Sequence, residues 1–338
     1  MNRRSFSSAR RMFWLALLLV GTLTRGGLVA EEAAESLAPR TPLDDYVARP
    51  DPHYSWNVVK EIPGQGFTVY LVDMKSQAWR TEQEVDRPVW QHWLVVVKPD
   101  RVAFDTGFLM IGGGSNDRPP PSKPDEVIVK IALATRSVVA ELRMVPNQPL
   151  VFHNDGQKRK EDDLIGYTWD QFIKTGDPTW PARNPMVKSG VRAMDTVQAL
   201  LAEKRCGEVD VDQFVVAGGS KRGWTTWLTG AVDPRVKAIV PIVIDVLNVD
   251  RCIRHHYAAY GFWAPAIGDY VHHKIVEKLD DPRLQPLYPL VDPFYYRHRL
   301  KMPKYLVNAS GDEFFPPDSS QFYFDRLEGE KHLRYVPN

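Results

Sequence analysis

The segment that decides the fold is residues 209–248, VDVDQFVVAGGSKRGWTTWLTGAVDPRVKAIVPIVIDVLN. It contains an apolar run at 213–217, a Gly-Gly-Ser turn, a helix-forming run at 224–231 and a second apolar run at 236–244. The order strand, turn, helix, strand is a βαβ unit, which places both strands parallel in one sheet. A serine at a sharp strand-to-helix turn is exposed at the edge of such a sheet. The segment therefore predicts a parallel α/β fold with Ser220 at its edge.

The rest of the chain supplies antiparallel strands first and βα alternation afterwards. Residues 54–60 and 67–74 alternate apolar and polar positions around a Pro-Gly-Gln-Gly turn, which predicts a hairpin. Further strands are predicted at 92–98, 102–111, 138–145, 305–309 and 333–336, and helices at 127–135, 186–204 and 319–327. This order is typical of the α/β-hydrolase fold, a mostly parallel sheet flanked by helices. Another doubly wound α/β protein is the alternative that periodicity leaves open.

The predicted domain organisation has one large domain. Residues 31–52 are acidic and rich in alanine and proline, and we expect a loose lead-in there. The hydrolase domain is predicted over residues 53–338. Within it, residues 251–299 are rich in aromatic side chains and proline and interrupt the βα rhythm, so we expect a lid above the sheet.

The N-terminus has the pattern of an export signal. Residues 1–12 carry four arginines and no acid, residues 13–23 are almost wholly apolar, and Ala30 precedes two glutamates. This order predicts a secretory signal peptide over residues 1–30 and a periplasmic or secreted protein with no stable membrane span after cleavage. The apolar run is short for a span, and an uncleaved membrane anchor is the alternative.

Composition excludes several classes of partner and cofactor. A net charge of +1 over 338 residues gives no reason to expect nucleic acid. The two cysteines, Cys206 and Cys252, fall at opposite ends of neighbouring predicted strands, so we expect two separate thiols. No Cys, His or acidic cluster has metal-ligand spacing, so neither a metal nor a cofactor is predicted.

Ser220 is the candidate nucleophile. Gly218 and Gly219 precede it and suit a tight reversal, but the standard elbow has glycine two places after the serine. Here that place is Arg222, and the glycine comes one residue later, at Gly223. A structural Gly-Ser loop is therefore an alternative to a catalytic turn.

A candidate oxyanion hole follows an early strand, at the run Gly112-Gly113-Gly114. Backbone N–H groups of Gly113 and Gly114, together with that of Lys221, are predicted to face the charge that develops on an acyl oxygen. Each such donor contributes on the order of 3 kcal/mol to lowering the barrier.

The candidate acid is Asp312, which ends the strand-and-turn sequence Val-Asn-Ala-Ser-Gly-Asp at 307–312. α/β-Hydrolases place the acid of the triad on the loop after the penultimate strand, in the order Ser, Asp, His. A structural turn made by Asp312 is the alternative role for this residue. Asp245, at the end of the strand after the serine turn, is the rival acid.

The histidine base of the predicted Ser-His-Asp triad is not found at its expected position. It belongs after the last predicted strand, 333–336, and the sequence ends two residues later. His332 precedes that strand and is expected at the opposite end of the sheet. We therefore expect that the chain is truncated at its C-terminus, and that the base lies beyond Asn338.

Eight segments spread over residues 56–338 carry a family resemblance. They are WQHWLVVVKP, IGGGSN, VPNQPL, EDDLIGYTWDQF, GGSKRGWTTWLT, VPIVIDVLN, SGDEFFPPD and LRYVPN. On these segments the chain resembles the PhoPQ-activated pathogenicity-related protein family, exported or secreted proteins similar to α/β-hydrolases. The resemblance implies Ser220 as nucleophile, Asp312 as acid and a histidine just past residue 338. The pattern Gly-x-Ser-basic-x-Gly, with Lys221 as the basic residue, is also similar to the elbow of glucuronoyl esterases.

The sequence thus predicts an exported serine hydrolase, specifically a carboxylic-ester hydrolase acting on a small molecule, a sugar ester or a peptide. The alternative is a catalytically silent α/β-hydrolase fold that serves as a binding or signalling module.

Overall fold

A single mixed sheet of nine strands organises the part of the chain that the computed structural model describes, residues 40–116 and 118–337. The strands are β1 (Ser55–Gly64), β2 (Phe67–Ala78), β3 (Val89–Pro99), β4 (Thr106–Ile111), β5 (Val139–Leu142), β6 (Gln213–Gly219), β7 (Val236–Ile242), β8 (Lys304–Ala309) and β9 (Lys331–Val336). Their spatial order is β1-β2-β3-β5-β4-β6-β7-β8-β9. The predicted export signal lies outside the described residues.

Strand direction divides the sheet in two. β1, β2 and β3 pair antiparallel, β3 also pairs antiparallel with β5, and β4 to β9 form parallel pairs. In the pairing of β4 with β6, Ile111 lies opposite Gly218. Because parallel strands end at the same edge, the loop that follows Ile111 and the turn that follows Gly219 meet there. The α/β-hydrolase fold predicted from the order of elements is confirmed.

Helices cover both faces of the sheet. They are α1 (Pro42–Ala48), α2 (Glu126–Thr135), α3 (Glu161–Thr175), α4 (Arg183–Leu201), α5 (Lys221–Val232), α6 (Val249–Tyr260), α7 (Gly268–His272) and α8 (Tyr288–Val291). Along β2, Val69 and Leu71 belong to the smaller core cluster with Ile128 of α2, whereas Tyr70 and Val72 belong to the larger one. This alternation is the period of two that a sheet covered on both faces requires.

Two segments differ from the sequence-based prediction. Residues 42–48, expected within the loose lead-in, form α1, because Leu43 is only 1% exposed and belongs to the main core with Tyr46. Residues 319–327, expected to be one helix, form two 3₁₀ turns, Ser319–Phe322 and Phe324–Arg326. Tyr323 separates the turns with a non-helical φ of −145°, and its buried side chain points inward to Asp245.

Two features are absent from residues 40–116 and 118–337. No helix there combines the length and apolarity needed to cross a membrane. No group of three His, Cys, Asp or Glu side chains in those ranges is placed to hold a metal ion. Cys206 and Cys252 are both buried free thiols, as predicted.

Candidate active site

The turn between β6 and α5 holds Ser220 in a strained backbone conformation. Its φ of 55° and ψ of −124° are rare for a residue with a side chain, and such strain costs on the order of 1–3 kcal/mol. The surrounding structure fixes it: the Ser220 amide donates to the carbonyl of Ile242 at 2.8 Å, and the Ser220 carbonyl accepts from the amide of Trp224 at 3.0 Å. The serine is thus presented at the sheet edge, directly before the first turn of a helix.

Two glycines allow the strand and the helix to touch at this turn. A Cβ on Gly218 would lie 2.6 Å from the carbonyl oxygen of Arg222, and one on Gly223 would lie 2.9 Å from the carbonyl oxygen of Gly218. At Gly219, no atom of the described residues lies within 4 Å of the corresponding position. The close approach of strand and helix therefore requires glycine at position 223, the place to which the second glycine of the pattern is displaced.

The two basic residues after the serine form ion pairs with the start of α3. Lys221 Nζ contacts Asp162 at 2.6 Å and Glu161 at 3.0 Å, and the guanidinium of Arg222 donates to both carboxylate oxygens of Glu161 at 2.6 and 3.0 Å. Burial acts to raise the pKa of Glu161, but the bonds and charges of Arg222 and Lys221 lower that pKa to about 2. Glu161 and Asp162 were not among the predicted site residues, although the EDD triplet at 161–163 was the available signal.

Arg222 also holds the predicted oxyanion loop. Its Nε donates to the carbonyl of Val145 at 2.6 Å, and a Cβ on Gly113 would lie 2.6 Å from its Nη2. The loop itself is bonded to the segment after β5, because the carbonyls of Gly112 and Gly113 accept from the amides of Val145 and Met144 at 3.1 and 2.9 Å. The guanidinium therefore fastens the glycine loop to the serine turn.

Gly114 is the last residue of the glycine loop. Its φ of 136° lies where side chains are rarely tolerated, and its carbonyl accepts from Gln148 Nε2 at 3.0 Å. Lys221 is the first residue of α5, so its amide is one of the N–H groups that a helix leaves unpaired in its first turn. The structure thus places the glycine loop and the N-terminus of α5 on the same edge as Ser220.

A largely apolar cavity of about 50 Å³ opens at Ser220. Its walls come from α3, α5, the segment after β7 and the predicted lid, including Trp169, Trp224, Ile244 and Tyr270. The aromatic segment 251–299 contributes several of the lining residues, so it lies over the serine turn.

The two candidate acids have different surroundings. Asp245 is buried, and its two oxygens accept from the hydroxyls of Tyr323 and Tyr335, each at 2.5 Å. Burial raises the pKa of Asp245 to about 6, although the two tyrosine hydrogen bonds oppose this. Asp312, after β8, uses Oδ1 to accept from the amides of Phe314 and Phe315 at 2.8 and 3.3 Å. Asp312 therefore makes a structural turn, which was the alternative role predicted for it. Burial raises the pKa of Asp312.

No histidine of the described ranges is hydrogen bonded to Ser220. His256 lines the cavity, but its Nδ1 donates to the carbonyl of Phe314 at 3.1 Å and its Nε2 accepts from the amide of Ala264 at 3.1 Å. Both ring nitrogens are therefore committed to the backbone. His332 lies within β9, exposed and paired with Glu330 at 2.9 Å, away from the serine edge.

The chain is similar to known proteins in sequence and in fold. Residues 43–338 match the family described as PhoPQ-activated pathogenicity-related protein. Autocrine proliferation repressor protein A of Dictyostelium discoideum is 46% identical over 302 residues, which cover 88% of this chain and 60% of that protein's length. The match therefore spans somewhat more than half of the relative.

Two solved structures share the fold at low sequence identity. An acetyl xylan esterase from Paenibacillus sp. R4 is 14% identical with a TM-score of 0.59, covering 87% of this chain and 85% of that one. Acetyl xylan esterase 1 from Thermoanaerobacterium sp. JW/SL YS485 is also 14% identical, with a TM-score of 0.55 and coverages of 88% and 87%. These similarities establish the hydrolase-like fold.

Proposed function

Because the chain belongs to the PhoPQ-activated pathogenicity-related protein family, with a hydrolase-like fold, we propose that it is a carboxylic-ester hydrolase with Ser220 as its nucleophile. One observation carries this proposal. Ser220 is held at a φ of 55° on the turn between β6 and α5, and it opens onto an apolar cavity. Such strain persists only where the surrounding contacts enforce it, and it is concentrated at active sites.

In the proposed reaction, Ser220 Oγ attacks the acyl carbon and passes its proton to a histidine that follows β9. The negative charge on the acyl oxygen is stabilised by the backbone amides of Lys221, Gly113 and Gly114. The intermediate then breaks the bond to the alcohol oxygen, which takes the proton from the histidine. Water repeats the sequence on the acyl-enzyme, releasing the acid and restoring Ser220.

Asp312 is the better acid in this scheme. It follows β8, the position from which a carboxylate orients a histidine placed after β9. Its Oδ2 forms no hydrogen bond with any residue of 40–116 or 118–337, so one oxygen is available to an imidazole N–H. In Asp245 both oxygens already accept tyrosine hydroxyls.

The substrate side of the proposal is a small ester, with a sugar ester or a peptide as the other classes that an aromatic-lined cavity suits. The neighbours of this fold are named as acetyl xylan esterases, which supports a short acyl group. We also propose export, from the basic and apolar order of residues 1–30. N-terminal sequencing of the mature protein tests export, and a mature chain that still begins at Met1 contradicts cleavage.

Hydrolysis of 4-nitrophenyl acetate tests the esterase proposal. The protein, produced with the sequence that its gene encodes after Asn338, is compared with Ser220→Ala and with Ser137→Ala, a half-buried serine whose hydroxyl donates to the carbonyl of Thr135. We expect Ser220→Ala to lower kcat by at least about 10³-fold, as loss of a triad member does, and Ser137→Ala to retain activity. Equal rates for all three proteins contradict the proposal.

A second candidate function is a silent binding or signalling module. The name of the relative that is 46% identical, a proliferation repressor, favours it. In that case Ser220→Ala leaves the rate of 4-nitrophenyl acetate hydrolysis unchanged, and no ester is hydrolysed faster than in buffer. The experiment above therefore separates the two functions.

A further inference from the structure

A buried arginine lies on the wall of the cavity that opens at Ser220. Arg183 is the first residue of α4 and is only 1% exposed. Its guanidinium carbon lies 4.1 Å from the ring centroid of Trp224, and its Nη1 donates at 3.0 Å to the carbonyl of Lys221, the residue after the serine. The positive charge is therefore adjacent to the candidate nucleophile.

This arginine has no carboxylate partner in the described ranges. Lys221 and Arg222 each form ion pairs with α3, whereas among the described residues Arg183 forms none and its buried Nε has no hydrogen-bond acceptor. Burial lowers the pKa of Arg183, and the neighbouring Tyr270 and Asp162 only partly oppose this. A buried cation without a counter-charge destabilises a folded protein. Binding of an anion beside the Arg183 guanidinium would offset this cost.

The walls of the cavity as a whole carry an excess positive charge. The charged side chains among its lining residues are Arg183, Lys221 and Asp162. Asp162 is already shared by Lys221 and by the hydroxyl of Tyr270, at 2.6 and 3.0 Å. His256 is held neutral by its two backbone bonds, so one cation of the cavity has no counter-charge among the residues that the structure describes.

We propose that this cavity binds a carboxylate carried by the acyl group of the substrate, so that the preferred esters are half-esters of short dicarboxylic acids. The inference rests on the proposed function for the ester bond, whereas anion binding itself does not need catalysis. A volume of about 50 Å³ corresponds to a few water-sized groups, which suits an acyl chain of about four carbons. Arginine is the residue that recognises a carboxylate through paired N–H donors.

Binding is measured by calorimetry on the Ser220→Ala form of the full chain, so that no turnover occurs. The probes are monomethyl succinate, which carries a carboxylate, and methyl butyrate, its neutral counterpart of similar length. We expect binding of the succinate half-ester and a weakening of about ten- to a hundredfold in Arg183→Gln, the range of a hydrogen bond to a charged group. The matched control is Arg192→Gln on the same helix, whose guanidinium lies over Tyr54 and is paired with Asp195.

The opposite results overturn the inference. They are equal affinity for the two probes, no binding of the succinate half-ester, or equal weakening by Arg183→Gln and Arg192→Gln. If Arg183→Gln does not fold, Arg183→Lys replaces it. The lysine keeps the positive charge but lacks the paired N–H donors of a guanidinium, so this variant is expected to bind the succinate half-ester more weakly than the parent does.

Hydrolysis separates this inference from the proposed function. With the active protein we expect kcat/KM for 4-nitrophenyl hemisuccinate to exceed that for 4-nitrophenyl butyrate by about tenfold or more. Hydrolysis of the neutral ester with no preference for the anionic one overturns the inference and supports the esterase. Binding of the half-ester without hydrolysis of any ester supports the anion site and contradicts the esterase.

Discussion

The serine side and the carboxylate side of the sheet edge are built in different ways. On the serine side, the strained turn at Ser220 rests on glycine contacts and on ion pairs between α5 and α3. On the carboxylate side, beyond β7 and β8, Asp245 and Asp312 are each held by groups of their own region, two tyrosine hydroxyls in one case and two backbone amides in the other.

This difference identifies where the chemistry depends on a distant part of the chain. The serine turn is fixed by backbone packing and by side chains that already touch it. The carboxylates become catalytic only by meeting a base, and in the described ranges neither meets one. Experiments that alter one side and leave the other intact therefore test the account.

The largest expected effect is on activity at the carboxylate side. Asp312→Asn should lower kcat by about 10³–10⁴-fold, because the amide leaves the base without the charge that orients and stabilises it. The asparagine oxygen can still accept the amides of Phe314 and Phe315, so stability should change little. Asp245→Asn is the matched control, expected to lower kcat by less than about tenfold. Steady-state kinetics decide, and the reverse order would assign the acid role to Asp245.

On the serine side the expected effect is on stability. Gly218→Ala places a methyl group 2.6 Å from a backbone oxygen, which cannot move cheaply, so the free energy of unfolding should fall by about 2–4 kcal/mol. Gly219→Ala meets no atom within 4 Å and should cost less than about 1 kcal/mol. Urea unfolding followed by fluorescence measures both. Similar losses for the two variants would show that the turn is not held by this contact.

A smaller effect is expected in the pH dependence of stability. The pKa of Asp245 is about 6 in the folded protein and about 3.9 for an unfolded aspartate, so the folded form binds the proton more tightly. Between pH 4 and 6 the free energy of unfolding contributed by Asp245 should therefore fall as pH rises, by about 1–3 kcal/mol.

The comparison with Asp245→Asn isolates this contribution, because the variant lacks this carboxyl and keeps the rest of the chain unchanged. Relative to the variant, the parent should lose stability from pH 4 to pH 7. A difference that stays constant over this range, measured by urea unfolding at each pH, contradicts the raised pKa.

The fold and the serine turn were predictable because their signals are local. Apolar runs of strand length, the Gly-Gly-Ser turn and the late aromatic segment fix the order of elements, and that order is confirmed in β4 to β9. The displaced glycine needed the structure for its explanation. Only the three-dimensional contact of Gly223 with the carbonyl of Gly218 shows why glycine is needed at position 223.

The remaining site features are non-local. Glu161 and Arg183 reach the serine turn from α3 and α4, about 60 and 40 residues earlier in the chain, and no spacing rule connects them to it. Likewise, α1 is helical because of the core it packs against, which its own composition does not reveal. Whether Asp312 or Asp245 is the acid depends on side-chain partners, which the sequence alone does not show.

The most direct test of the central claim, that Ser220 is an activated nucleophile, is covalent labelling with a fluorophosphonate followed by peptide mass spectrometry. The full chain, Ser220→Ala and Ser137→Ala are treated in parallel. We expect one adduct, on the peptide containing Ser220, present in the parent and in Ser137→Ala and absent in Ser220→Ala. No adduct on the parent protein, or an adduct that persists in Ser220→Ala, would contradict it.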